Sequence, residues 1–65
     1  VYTNEELKEI LQSSLDHEEE MMRTYLIAAE RIDESEELKL RLREFAEGNA
    51  KRSRQLIDEL KRFIN

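Results

Sequence analysis

Residues 7–32 read LKEILQSSLDHEEEMMRTYLIAAERI, and the spacing within them decides the fold. Leu7, Leu11, Ser14, Glu18, Met21, Tyr25, Ala28 and Ile32 step by 4, 3, 4, 3, 4, 3 and 4 positions. Steps that alternate in this way return to one face of an α-helix and form an a/d seam. Ile10, Leu15, Met22, Leu26 and Ala29 widen that seam. The stripe is broader than a two-stranded coil needs and suits a bundle of more helices. Upstream, Thr3 stands three residues before Glu6, the spacing of a capping box. Asn4 and Glu5 occupy the first turn, where acids meet the positive helix end. A first helix over about Asn4 to Ile32 follows.

Working outward, Asp33-Glu34-Ser35-Glu36 interrupts the apolar period. Asp33 or Ser35 can cap the next helix, and Glu36 at the box spacing slightly favours Asp33. The second helix is expected over about Glu37 to Phe63. Its inner positions are Leu38, Leu42, Phe45, Asn49, Ser53 (or Arg52), Leu56, Leu60 and Phe63, with Ala46, Ala50, Ile57 and Ile64 extending the face. A connection of about four residues makes the helices an antiparallel hairpin, in which facing residue numbers sum to about 71. Tyr25 then faces Ala46, Leu11 faces Leu60, and Ile32 faces Leu38 or Lys39. The expected core is Leu7, Leu11, Met21, Tyr25, Ile32, Leu42, Phe45, Leu56 and Leu60.

Size and composition agree with an all-α hairpin. The chain has 65 residues, no Pro, no Cys, a single Gly and 42% charged residues. Disulfide scaffolds, thiolate metal sites and Cys nucleophiles are excluded, and a β-rich fold with Pro/Gly turns is disfavoured. A chain this short buries only about 60% of its unfolded surface. One wide apolar face stays open in a lone hairpin, so two hairpins are expected to pair as a homodimeric four-helix bundle. A lone hairpin docking on a larger protein is the alternative. Residues 1–36 carry 11 acids and 3 bases, whereas residues 37–65 carry 5 acids and 8 bases. An acidic helix beside a basic one favours unlike neighbours. No apolar run reaches membrane-span length and no signal-peptide pattern is present, which gives a cytoplasmic expectation. Val1 in place of Met leaves room for sequence upstream.

The residues that break the stripe point to a site. Ser14 and Glu18 interrupt the first seam, and Asn49, Arg52 and Ser53 interrupt the second. The facing arithmetic brings Glu18, Asn49, Arg52 and Ser53 into one polar layer at mid-helix. A buried carboxylate must be paired, coordinated or protonated. The leading expectation is a structural pair, with Glu18 accepting from Arg52 or Asn49 and setting the helix register. The competing one is a metal or small-molecule site with Glu18 as a ligand.

His17, the single histidine, lies on the flank and reaches a metal only across a chain interface. Glu19 and Arg23 have the spacing of an i,i+4 ion pair. Met21 and Met22 are adaptable core filler, and the Tyr25 hydroxyl seeks a partner. Gly48 in mid-helix permits a close approach or a kink. No phosphate loop, H-E-x-x-H, EF-hand, dinucleotide fingerprint or catalytic triad is present. The basic run Lys51-Arg52-Ser53-Arg54, with Lys61-Arg62, is short and lacks interleaved aromatics, which makes nucleic acid an unlikely partner.

At Glu18 and Tyr25 the chain resembles a known family. LDHEEEMMRTYLIAAE, residues 15–30, is similar to the first metal-bearing helix of rubrerythrin and ferritin-like domains, matching at Glu18, Tyr25, Ala28 and Ala29. Residues 42–64 resemble the following helix, where the family carries Glu-x-x-His; those positions read Asn49 and Arg52 here. The resemblance implies half of a ferritin-like four-helix bundle completed by a second chain. It also implies iron oxidation or peroxide reduction at a carboxylate-bridged di-iron centre. Asn49 and Arg52 replace two of three ligands in this half-site, and an arginine neutralises Glu18 and repels a cation. The resulting expectation is a non-enzymatic, homodimerising ferritin-like hairpin without catalytic residues or cofactor, acting in assembly or protein interaction. The alternatives are an iron-binding protein using Glu18 and His17 across chains, and a small dimeric nucleic-acid-binding regulator.

Overall fold

A computed structural model of the chain describes residues 1–63. Two antiparallel helices make up the hairpin, α1 over Asn4–Arg31 and α2 over Glu36–Lys61. The described part measures 48 × 16 × 15 Å. Among the described residues there are no strands, and no helix is long and apolar enough to cross a membrane.

The start of α1 follows from Thr3. The Glu6 amide donates to Thr3 Oγ1 at 3.1 Å, and the Thr3 amide donates to Glu6 Oε1 at 2.9 Å. This reciprocal box satisfies two of the orphan donors of the first turn. The bonds from Thr3, its backbone N–H above all, hold the Glu6 carboxyl below its ordinary value.

Ser35, not Asp33, caps α2. The Leu38 amide donates to Ser35 Oγ at 3.1 Å. The reason is reach. Ile32 and Ser35 are both extended, at φ −83°, ψ 120° and φ −148°, ψ 108°. The three steps from Ile32 to Ser35, with a bend at Glu34, give the chain room to cross between packed helices, whose axes lie about 8–10 Å apart. A cap at Asp33 leaves one step for that crossing. Glu36 therefore lies in the first turn of α2 rather than in the connection, and Ile32 is the C-cap of α1, its amide donating to Ala28 O at 3.1 Å. At the far end α2 stops at Lys61, with Arg62 as its cap and Phe63 in the closing turn; Ile64, expected to extend the apolar face, lies outside the described residues.

The seam is shifted by one position at alternate steps from the expected line. In α1 the stripe against α2 runs through Leu11, Leu15, Glu18, Met22, Tyr25, Ala29 and Ile32, with Leu15 and Ala29 buried and the others partly buried. It passes Leu15, Met22 and Ala29 where Ser14, Met21 and Ala28 were expected, and Ser14 is exposed. The α2 stripe runs through Lys39, Leu42, Ala46, Asn49, Ser53, Leu56, Leu60 and Phe63, with Ala46, Asn49 and Ser53 buried. Lys39 and Ala46 take the places expected for Leu38 and Phe45. Methionine and alanine pairs make the two α1 lines nearly equivalent, and Leu15 against Ser14 decides between them by apolar area. In α2, small Ala46 lets the helices approach.

The expected core is accordingly only half realised within one chain. Leu7, Leu11, Met21, Tyr25, Ile32, Leu42, Leu56 and Leu60 are partly buried, and Phe45 is 52% exposed. A helix with a single neighbour covers one line of side chains and leaves both flanks open.

Candidate functional site

The polar layer lies near mid-height in both helices. Glu18 sits between Leu15 and Met22 on the α1 seam, where its carboxylate must leave water and reach α2. Two donors meet it there. Asn49 Nδ2 donates to Glu18 Oε1 at 2.6 Å, and Arg52 Nε donates to Glu18 Oε2 at 3.0 Å. Each carboxylate oxygen thus has its own donor, and Asn49 and Arg52 both contribute.

These donors sit in different environments. Asn49 is 4% exposed, so its bond to the carboxylate is largely sheltered from water. The side chains of Arg52 and Glu18 are 54% and 18% exposed, so their ion pair is only partly screened. The hydrogen bond from Asn49, then that from Arg52, hold the Glu18 carboxyl below its ordinary value against the opposing effect of burial. Glu18 is ionised at neutral pH.

Satisfaction is incomplete on the α2 side. A carboxylate only accepts, so the Asn49 amide must turn its nitrogen to Glu18. Asn49 Oδ1 is then buried without a donor, and buried Ser53 Oγ also lacks a partner. Ser53, expected opposite Glu18, makes no bond to it. Such groups cost about 1–3 kcal/mol each when left unpaired.

Gly48 has a local role in the layer. A Cβ at Gly48 meets Arg52 Nη1 at 3.4 Å and Nη2 at 3.6 Å. The guanidinium therefore folds back along α2 over the glycine, one turn away, on its way to Glu18. Sequence spacing alone did not reveal this contact.

Other side chains singled out from the sequence fall outside the layer. His17 is exposed on the flank of α1 and Ser14 is exposed beside it. Among the described residues Glu19 and Arg23 form no ion pair, while Lys8–Glu5, Lys39–Glu36, Arg41–Glu37 and Arg62–Glu59 do. Tyr25 packs against Phe45, with ring centroids 5.5 Å apart and planes tilted by 55°. In the basic run, Arg52 is committed to Glu18 and Ser53 is buried. Lys51 and Arg54 line a concavity shared with Glu44 and Glu47, so the cationic face is interrupted by acids.

The donor set does not fit a metal ion. Both Glu18 oxygens accept from Asn49 and Arg52, and a cation has to displace a guanidinium to reach them. Among the described residues no group of three or more His, Cys, Asp and Glu lies close enough to hold an ion. The arrangement can orient two helices, through a charged hydrogen-bonded clamp that selects one register. No family model, no curated protein and no solved structure matches this chain.

Proposed function

We propose that this chain is a small non-enzymatic assembly module, a ferritin-like hairpin that self-associates into a homodimeric four-helix bundle. One observation carries the reading. Within a single chain the buried apolar residues are Leu15, Ala29 and Ala46, while Ile10, Leu26, Leu38, Phe45 and Ile57 remain exposed. Among the described residues no large side chain is completely buried. One buried leucine and two buried alanines, with the rest of the seam only partly buried, make a marginal core for ordering two long helices. The apolar flanks need a cover, and a second hairpin supplies one of matching length.

The polar layer supports an assembly role over a catalytic one. Glu18 is neutralised by Arg52 and bonded by Asn49, so it is a clamp rather than a free base or a ligand. The ferritin-like part of the proposal is supported by Glu18, Tyr25, Ala28 and Ala29 at their spacing. Sedimentation equilibrium over a range of protein concentrations tests it. The expected result is twice the chain mass of 7.8 kDa. A mass of one chain at every concentration, with helicity retained, overturns the reading.

A further inference from the structure

Each helix carries two adjacent seams, and the hairpin uses only one of them. The intrachain seam takes Leu15, Met22 and Ala29 against Lys39, Ala46 and Ser53. One position earlier, Ser14, Met21 and Ala28 repeat every seven residues on α1, and Leu38, Phe45, Arg52 and Glu59 repeat every seven on α2. Two contacts place these second seams on the same side of the hairpin. Phe45 leans against Tyr25, and Arg52 reaches Glu18. The heptad positions on the opposite side are more polar, with Gln12, Glu19, Leu26 and Asp33 on α1 and Arg43, Ala50 and Ile57 on α2, and its apolar part is confined to a concavity lined by Met22, Leu26, Ala46 and Ala50. In a four-helix bundle each helix contacts two neighbours and needs two seams.

We infer that a second copy of this chain docks on the Ser14–Met21–Ala28 and Leu38–Phe45–Arg52 side, so that the two Glu18–Arg52 pairs meet as one charge-neutral layer. The inference rests on the self-association reading and names its surface. Three observations select a second copy as the occupant. A face 48 Å long and 16 Å wide offers on the order of 800 Å² per partner, about the burial of a standard stable interface. Glu18 lies at the middle of Asn4–Arg31, and Asn49 and Arg52 lie near the middle of Glu36–Lys61. A two-fold mate therefore brings its polar layer to the same height whether its turn lies at the same end or the opposite end. Finally, Arg52 donates to Glu18 through Nε, and its half-exposed guanidinium leaves further donors on this side. The mate presents Glu18 and Arg52 in equal number, so the covered layer carries no net charge.

The test compares charge insertions on the two sides, read as mass by sedimentation with helicity checked by circular dichroism. Phe45→Glu is expected to abolish the dimer, and Ile57→Glu to leave it intact. A dimer that survives Phe45→Glu overturns the inference while self-association stands. A wild-type chain that is monomeric throughout overturns both. Where either variant loses its helices, thiol alkylation in this cysteine-free chain decides instead. Ile10, one turn before Ser14 on the docking side, and Leu26, on the more polar side, are 42% and 43% exposed in one chain. Alkylation of Ile10→Cys is expected to slow as the dimer forms while that of Leu26→Cys does not, and the reverse order overturns the inference.

Discussion

At the residue scale, Glu18 is held by two donors of unequal strength. Asn49 is buried and gives a short bond to a charge, whereas Arg52 is more than half exposed. Hydrogen bonds to buried charges are worth more than partly solvated ion pairs. Asn49→Ala is therefore expected to cost about 2 kcal/mol of unfolding free energy, and Arg52→Ala about 1 kcal/mol. Urea titration at neutral pH measures both. A loss below about 0.5 kcal/mol for Arg52→Ala is the behaviour of a surface position and removes it from the clamp. The same bonds set a pH dependence. Folding lowers the Glu18 carboxyl from an ordinary value of 4.5, so the unfolded chain takes up a proton first as pH falls. The stabilisation is complete above that value and is lost as pH drops through the lower folded value. Wild type is expected to lose stability below about pH 4.5 more steeply than Glu18→Gln. Parallel slopes in an acid titration of the two proteins count against the clamp. Glu6, also lowered by its capping box, is common to both and cancels in the comparison.

At the element scale, the ends and the middle of α2 make separate predictions. Ser35 satisfies the Leu38 amide while Asp33 lies in the crossing segment. Ser35→Ala is expected to cost about 1 kcal/mol, and Asp33→Ala less than about 0.5 kcal/mol. Thermal unfolding of the two variants separates them, and the opposite order moves the cap back to Asp33. Gly48 lowers the helix propensity of α2, and an added Cβ there makes ordinary contact with the flexible end of Arg52. Gly48→Ala is therefore expected to stabilise by up to about 1 kcal/mol. A destabilised variant shows instead that the guanidinium needs that space to reach Glu18. The position of Ser35 was visible as a candidate in the sequence but not as the choice. Box spacing favoured Asp33, and the need for the chain to cross from one helix to the other, a property of the packed pair, decided against it.

At the scale of the whole molecule, stability and assembly are expected to be one equilibrium. With so few residues buried in one chain, folding and dimer formation are linked by mass action. The melting temperature of wild type is expected to rise with protein concentration, and that of Phe45→Glu to be independent of it. Calorimetry at a series of concentrations measures this, and a constant wild-type value separates folding from association. Net charge of −5 per chain opposes the approach of two copies at long range. The opposite signs of residues 1–36 and 37–65 oppose that repulsion where unlike helices become neighbours.

The 3.6-residue period, the Thr3–Glu6 box and the short polar connection were sufficient to specify two long helices and their antiparallel sense, because each depends on contacts within a few residues. The meeting of Glu18, Asn49 and Arg52 was also legible, since a hairpin turn converts sequence position into height along the partner. Rotation of each helix about its axis was not. Met21 and Met22, and Ala28 and Ala29, are chemically equivalent pairs, so two seams fit the same pattern. Only the packed pair showed that Leu15 and Ala29 enter the interface in place of Ser14 and Ala28 and that Phe45 remains on the flank. The hydrogen-bond assignments likewise needed three dimensions. Asn49 takes one carboxylate oxygen and Arg52 the other because side-chain reach and the open surface over Gly48 set their directions. Local spacing determined the elements; rotation and side-chain geometry, set by packing between residues far apart in the chain, decided the seam and the clamp.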